Sequence, residues 1–319
     1  MRPAYNDEMG WNRPIHLAKI AGIDVSLHPT WFLVAVYEIY LRAGAYSSLV
    51  WNVFELLALF LIVTLHEFGH ASACRQVGGK ADRILLWPFG GIAFVDTPPR
   101  PGATLWTLAA GPLVNVALVP VLAVCASLGS APAWAAANPN AFVFLHALVW
   151  INLGLLIFNL MPVYPLDGGQ ILRALLWFPL GRIRSLMAAT VIGLAGVAGL
   201  FLLAALWHDL WLGLMSVFIL TYCWSGLKRA RQEWKLARLP QHEAAHCPWC
   251  QASPPAAELW RCAACQQAMD PFAHAACTNC GAQGGRVACP FCYHASPLAA
   301  WAGGAEAEVT APAGAAGRA

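Results

Sequence analysis

His66, Glu67 and His70 occur in the run His66-Glu67-Phe68-Gly69-His70, inside an apolar stretch long enough to cross a membrane. On a helix, two histidines four residues apart sit about 40° apart around the axis and roughly 6 Å along it, so both rings can reach one ion. Glu67 leaves the same turn in another direction. It can face a water held by that ion without being a ligand, as a general base must. The pattern points to zinc and to hydrolysis, and its setting to hydrolysis within or beside the lipid. A catalytic zinc takes three protein ligands and keeps a fourth position open. The third candidate is Asp167, in Asn159-Leu160-Met161-Pro162-Val163-Tyr164-Pro165-Leu166-Asp167-Gly168-Gly169. Pro162 and Pro165 break the helix there, and Gly168-Gly169 lets the backbone turn tightly. A carboxylate so placed is expected to be functional.

The elements that carry these residues follow from composition. The chain of 319 residues is 59% hydrophobic and 11% charged, with a mean hydropathy of +0.57. Soluble domains carry about a quarter charged residues, so a polytopic membrane protein is expected, embedded in the bilayer. The net charge of +3 is too small to argue for nucleic acid. Six apolar segments predict an all-α bundle of about six spans, at roughly 31–47, 51–73, 105–127, 142–161, 186–207 and 210–224. Between the second and third lies 80–96, interrupted by Pro88 and Gly90-Gly91, which suits a re-entrant membrane hairpin loop. Met1 to Pro14 contains no apolar core of a signal peptide. Arg2, Arg13 and Lys19 precede the first span. Arg75, Lys80, Arg83 and Arg100 follow the second, Arg173, Arg182 and Arg184 the fourth, and Lys228 to Arg238 the sixth. The opposite face has only Arg42, which predicts a multi-pass protein of the cell membrane with both termini cytoplasmic. His66 then lies in the cytoplasmic third of its span.

The combination resembles the site-2 protease family of intramembrane zinc metalloproteases. The matching residues are His66-Glu67-x-x-His70 in one span and Asn159-x-x-Pro162 running into Leu166-Asp167-Gly168 in a later one. Gly111-Pro112-x-x-Asn115 between them also resembles the family, as do Pro88-x-Gly90-Gly91 and the six-span lead-in at 17–31. The resemblance covers roughly residues 15 to 225. It implies three central helices around one catalytic zinc, with His66, His70 and Asp167 as ligands and Glu67 as general base. It implies that Asn159 helps hold the substrate or the developing oxyanion, and that the hairpin pairs with an unwound substrate strand. The implied reaction is hydrolysis of peptide bonds in or near transmembrane segments of other proteins, as in regulated intramembrane proteolysis. A non-catalytic metal-bound membrane scaffold, recruiting partners through its C-terminal segment, is the alternative; the intact Glu67 argues against it.

That C-terminal segment holds four Cys-x-x-Cys pairs: Cys247/Cys250, Cys262/Cys265, Cys277/Cys280 and Cys289/Cys292. They suit two structural Cys₄ zinc sites in a small double zinc ribbon. A reducing cytoplasm argues against disulfides. Sequential pairing puts Cys247, Cys250, Cys262 and Cys265 in one ribbon and the other four in the second, with crossed pairing open. A docking role toward a cytoplasmic partner is expected. Only Arg261 and Arg286 lie within the segment, too little positive charge for a phosphate footprint. His242-Glu243-Ala244-Ala245-His246 repeats the first pattern, but in a polar linker beside Pro240, and reads as a chance match. Glu38 and Glu55 are expected to be structural carboxylates of the bundle, and Cys74, Cys125 and Cys223 packed apolar groups. The expected domains are 1–228 (membrane metalloprotease), 229–246 (basic linker), 247–292 (double zinc ribbon) and 293–319 (disordered Ala/Gly-rich tail).

Overall fold

The computed structural model describes residues 14–87, 90–164, 166–274, 276–283 and 285–301. Arg2, Arg13, Pro88, Pro165 and residues 302–319 of the expected tail lie outside the described residues, whereas residues 295–301 of that tail form a short strand and a 3₁₀ turn rather than a disordered segment. The described residues divide into two compact units, one of 14–230 and one of 231–301.

The first unit is mostly helical. Its helices are α1 (Trp31–Leu41), α2 (Leu49–Gln76), α3 (Pro101–Leu128), α4 (Pro132–Ala137), α5 (Pro139–Leu160) and α6 (Asp167–Trp207), with α7 (Leu210–Ala237) crossing the unit boundary. Among the described residues, four helices are long and apolar enough to cross a membrane: α2, α3, α5 and α6. Their outer faces carry large apolar side chains in the open, such as Trp150 at 72% and Leu202 at 61% exposure. Such a surface suits lipid rather than water. The expected six spans are thus four by this measure. The first expected span is the 11-residue α1, about 16 Å long and well short of the hydrocarbon core. The helix of the span expected from 186 starts earlier, because α6 begins at Asp167 and breaks only at Gly181, where φ is 76°.

The all-α expectation is corrected by a four-stranded sheet. Strands β1 (Ile15–Ile20), β2 (Ile23–Leu27), β3 (Lys80–Trp87) and β4 (Gly90–Asp96) pair in sequence order. The hairpins β1–β2 and β3–β4 are antiparallel, and β2–β3 is parallel. The first hairpin turns through Ala21 and Gly22, both at positive φ. Its parallel partner lies more than fifty residues away, with Val25 opposite Ile84, so no local pattern announces the pairing. One face of the sheet buries Ile23, Val25, Ile84 and Leu86 against Val63, Ala71 and Cys74 of α2. Arg75, in the last turn of α2, fastens the sheet. Its guanidinium donates to the carbonyls of Ala21 (2.6 Å), Gly22 (3.1 Å) and Ala81 (2.6 Å).

The helices α2, α3, α5 and α6 pack on one another, with α3 touching the other three. The α5–α6 turn is crowded. A Cβ on Gly168 would overlap the Leu160 carbonyl, and one on Gly169 the Tyr164 amide, so only glycine lets α6 begin here. Near the start of α2, Arg42 pairs with Glu55 at 3.0 Å and Tyr46 donates to the same carboxylate. Cys74 and Cys223 are buried as expected, whereas Cys125 is exposed on α3.

The second unit is built from two small hairpins, β5 (Trp260–Arg261) with β6 (Ala268–Met269) and β7 (Arg286–Ala288) with β8 (Ala295–Pro297). Trp301, 1% exposed, packs on Phe272 at 5.0 Å, and Phe272 on Trp260 at 5.3 Å. Other buried apolar side chains here are Cys247, Cys262, Cys277 and Cys289 with Ala245, Met269, Val287 and Phe291.

Candidate active site and metal centres

The three residues expected to share an ion converge. His66 Nε2 and His70 Nε2 lie 3.1 Å apart, and Asp167 Oδ2 lies 3.0 Å and 3.2 Å from them. Three ligands of a tetrahedral zinc at about 2.0–2.1 Å stand roughly 3.3 Å from one another, so the donor set fits that ion. The spacing of the histidines on α2 aligns their rings one turn apart. Asp167 arrives because it is the first residue of α6, immediately after the α5–α6 turn. The two histidines are 3% and 7% exposed, walled in by α2, α3 and α6.

Each ring is aimed from behind. His70 Nδ1 donates to the Thr107 carbonyl at 2.8 Å, and His66 Nδ1 to Asn115 Oδ1 at 2.6 Å. Such outer partners fix ring orientation and leave Nε2 for a metal. Space for the rings comes from Gly111 of α3. A Cβ there would overlap His70 Nε2 and stand 2.8 Å from His66 Nε2. The motif Gly111-Pro112-x-x-Asn115 therefore gives the site both clearance and a hydrogen bond.

Glu67 points toward the sheet. Its Oε2 accepts the Ala93 amide of β4 at 3.0 Å, and a Cβ on Gly91 would overlap its side chain. Glu67 is 6% exposed and is not one of the converging donors. Asn159 lies near the end of α5, half-buried, and its side chain makes no hydrogen bond to a described residue. Thr107, Ala93 and Asn152, a neighbour of Asn115, were not singled out from sequence. Thr107 and Ala93 contribute backbone atoms, which residue type does not reveal. Asn152 stood out only as a polar residue in an apolar span.

The ribbon cysteines form two clusters, Cys247, Cys250, Cys289 and Cys292 in one and Cys262, Cys265, Cys277 and Cys280 in the other. Of the pairings that the spacing leaves open, the structure has a nested one: the two outer pairs in the sequence share a site, and the two inner pairs share the other. Cross-pair sulfur separations of 3.6 Å and 3.7 Å match two ligands of one zinc at about 2.3 Å and are far from a disulfide bond. All four Cys-x-x-Cys units make the same knuckle. The first cysteine's carbonyl accepts from the residue four positions on: Gln251, Gln266, Gly281 and Tyr293. Each of those four residues has positive φ. The Gln267 amide, bonded to the Cys265 sulfur, brings that thiol down to about 6. The amides of Cys265 and Ala264 lower Cys262 in the same way. His242 and His246 do not converge: His242 pairs with Asp270 at 2.8 Å and His246 with Ser253 at 3.2 Å.

Parts of this chain match known proteins. The model of peptidase family M50 matches residues 54–133 and 128–203. A zinc metalloprotease of Methanocaldococcus jannaschii is 37% identical over 208 residues, 65% of this chain and 59% of that protein. Rip3 of Mycobacterium tuberculosis is 29% identical over 229 residues, 64% of this chain and 56% of that one. The chain thus spans less than two thirds of either relative. The solved site-2 protease from Methanocaldococcus jannaschii is 31% identical, covering 67% of this chain and 95% of its own, with a TM-score of 0.49.

Proposed function

The chain belongs to peptidase family M50, the site-2 protease family, and on that premise we propose that it is an intramembrane zinc endopeptidase cleaving peptide bonds in or near transmembrane segments of other proteins. The observation that carries this is the meeting of His66 Nε2, His70 Nε2 and Asp167 Oδ2 among membrane-length apolar helices, with Glu67 beside them. Those three atoms would hold the ion. Zinc bound there supplies Lewis acidity, making water a nucleophile near neutral pH and polarising a peptide carbonyl.

Glu67 does the proton work. Ala93 N–H holds Oε2, leaving Oε1 to take a proton from the attacking water and return it to the leaving nitrogen. Asn159 is proposed to hold the substrate backbone or its developing oxyanion. The strand β4 is a terminal strand of the sheet and meets Glu67 through Ala93. A substrate segment, unwound from its helix, would add to that edge and lay an extended carbonyl beside the site. Arg75, Lys80, Arg83 and Arg100 support a cytoplasmic location for this end of the bundle and for both termini. Two further zincs in the cysteine clusters would be structural. The ribbon is proposed to dock a cytoplasmic protein partner, and regulation of cleavage belongs to this reading.

Glu67→Gln separates protease from scaffold. The variant should retain zinc and leave a co-expressed membrane substrate uncut. Cleavage at the wild-type rate would remove Glu67 from the mechanism. Substrate left uncut by wild type and variant alike would favour the scaffold.

A further inference from the structure

His66 and His70 are oriented by different means. His70 Nδ1 donates to a backbone oxygen, that of Thr107, which can only accept, so the main chain sets its tautomer. His66 Nδ1 instead meets the side-chain amide of Asn115. An amide presents oxygen or NH₂ at nearly the same place after a half turn, and the two would demand opposite tautomers of the ring.

The choice is made one residue further out, on α5. Asn152 Nδ2 donates to the backbone carbonyl of Asn115 at 3.0 Å. That oxygen cannot donate, so Asn152 must keep its NH₂ there and turn Oδ1 toward the Asn115 side chain. Asn115 Nδ2 donates to this Oδ1 at 2.8 Å, which leaves Asn115 Oδ1 to face His66. His66 must then carry its proton on Nδ1 and offer the Nε2 lone pair to the ion. Asn115 and Asn152 are 0% and 1% exposed, so a broken link cannot be repaired cheaply by bulk water.

We propose that Asn152 is a positioning residue: anchored on the Asn115 main chain, it locks the Asn115 amide and thereby the tautomer and aim of His66. This rests on the reading of His66 as a metal ligand. A pair of buried asparagines joining α3 and α5 could otherwise be interhelical glue, which would stabilise the bundle without affecting the ion.

The test is zinc affinity at the membrane site in the full chain, measured by chelator competition against the two ribbon sites. Asn152→Leu removes the lock and should weaken zinc there by about 10–100-fold, leaving the ribbon zincs in place. In an Asn115→Asp background either carboxylate oxygen accepts from His66 Nδ1, so Asn152→Leu should then cost less than roughly threefold. Equal losses in the two backgrounds, or no loss in the first, would overturn the proposal. Should Asn152→Leu fail to fold, nitrogen-15 spectra of the metal-free wild type decide. His66 Nδ1 should be protonated; a bare Nδ1 refutes the lock. Affinity and ring protonation are both read without cleavage. A failure here is therefore distinct from a failure of the protease reading, which Glu67→Gln tests.

Discussion

Two glycines divide the proposed site into a metal half and a proton half. Gly111 lies where a methyl group would displace both imidazoles, whereas Gly91 lies where it would displace the Glu67 carboxylate. The same small change should therefore give different losses. Gly111→Ala should lower bound zinc by one ion per chain, and cleavage with it. Gly91→Ala should keep that zinc and lose cleavage. Metal analysis and a cleavage assay on both variants check this pair. Zinc loss in Gly91→Ala would place Glu67 closer to the ion than its hydrogen bond to β4 suggests. His66, Glu67 and His70 were legible because helical spacing alone aligns them. Asp167 was legible because proline and glycine mark a break beside a carboxylate at the end of an apolar stretch. The glycine clearances were not, since each is a fact about a neighbouring element.

At the scale of elements, β4 joins the sheet to the helices. The Ala93 amide is turned out of the β3–β4 ladder toward Glu67, although Ala93 stands opposite Ile84 in the register. A proline there removes no ladder bond, and terminal strands tolerate proline. Ala93→Pro should thus leave the fold and zinc content intact while lowering cleavage, because Oε2 of Glu67 loses its only donor among the described residues. A thermal melt shifted by many degrees would instead make Ala93 structural. The ribbon knuckles carry another element-scale consequence. Gly281 and the side-chain-bearing Gln251, Gln266 and Tyr293 share one left-handed position. A left-handed residue other than glycine costs roughly 1–2 kcal/mol. Gln266→Gly should relieve that cost and raise the ribbon's resistance to denaturant. A decrease would mean that the glutamine side chain contributes more than the strain it imposes.

On the scale of the whole molecule, one ion would hold together helices that are far apart in sequence, and two would hold a unit with little apolar core. Nested pairing makes a count of ions diagnostic. Cys250 and Cys289 belong to one cluster. Replacing both by serine should cost one zinc per chain, whereas sequential pairing would cost two. Local rules were enough for the existence of the long apolar helices, though not their number or bounds, and for the histidine pair, the glutamate and the four Cys-x-x-Cys turns, because hydropathy, helical period and Cys-x-x-Cys spacing act within a few residues of chain. Such rules do not reach across fifty residues. The parallel pairing of β2 with β3, the α6 start that brings Asp167 to the histidines, the nested pairing of the cysteines and the Asn152–Asn115 link are all long-range. Each is selected by burial and hydrogen-bond satisfaction among several alternatives that the chain permits equally well. The amino-acid sequence determined which side chains could bind metal and move a proton; the tertiary structure alone decided which of them meet, because contact between distant segments is settled by packing the whole chain at once.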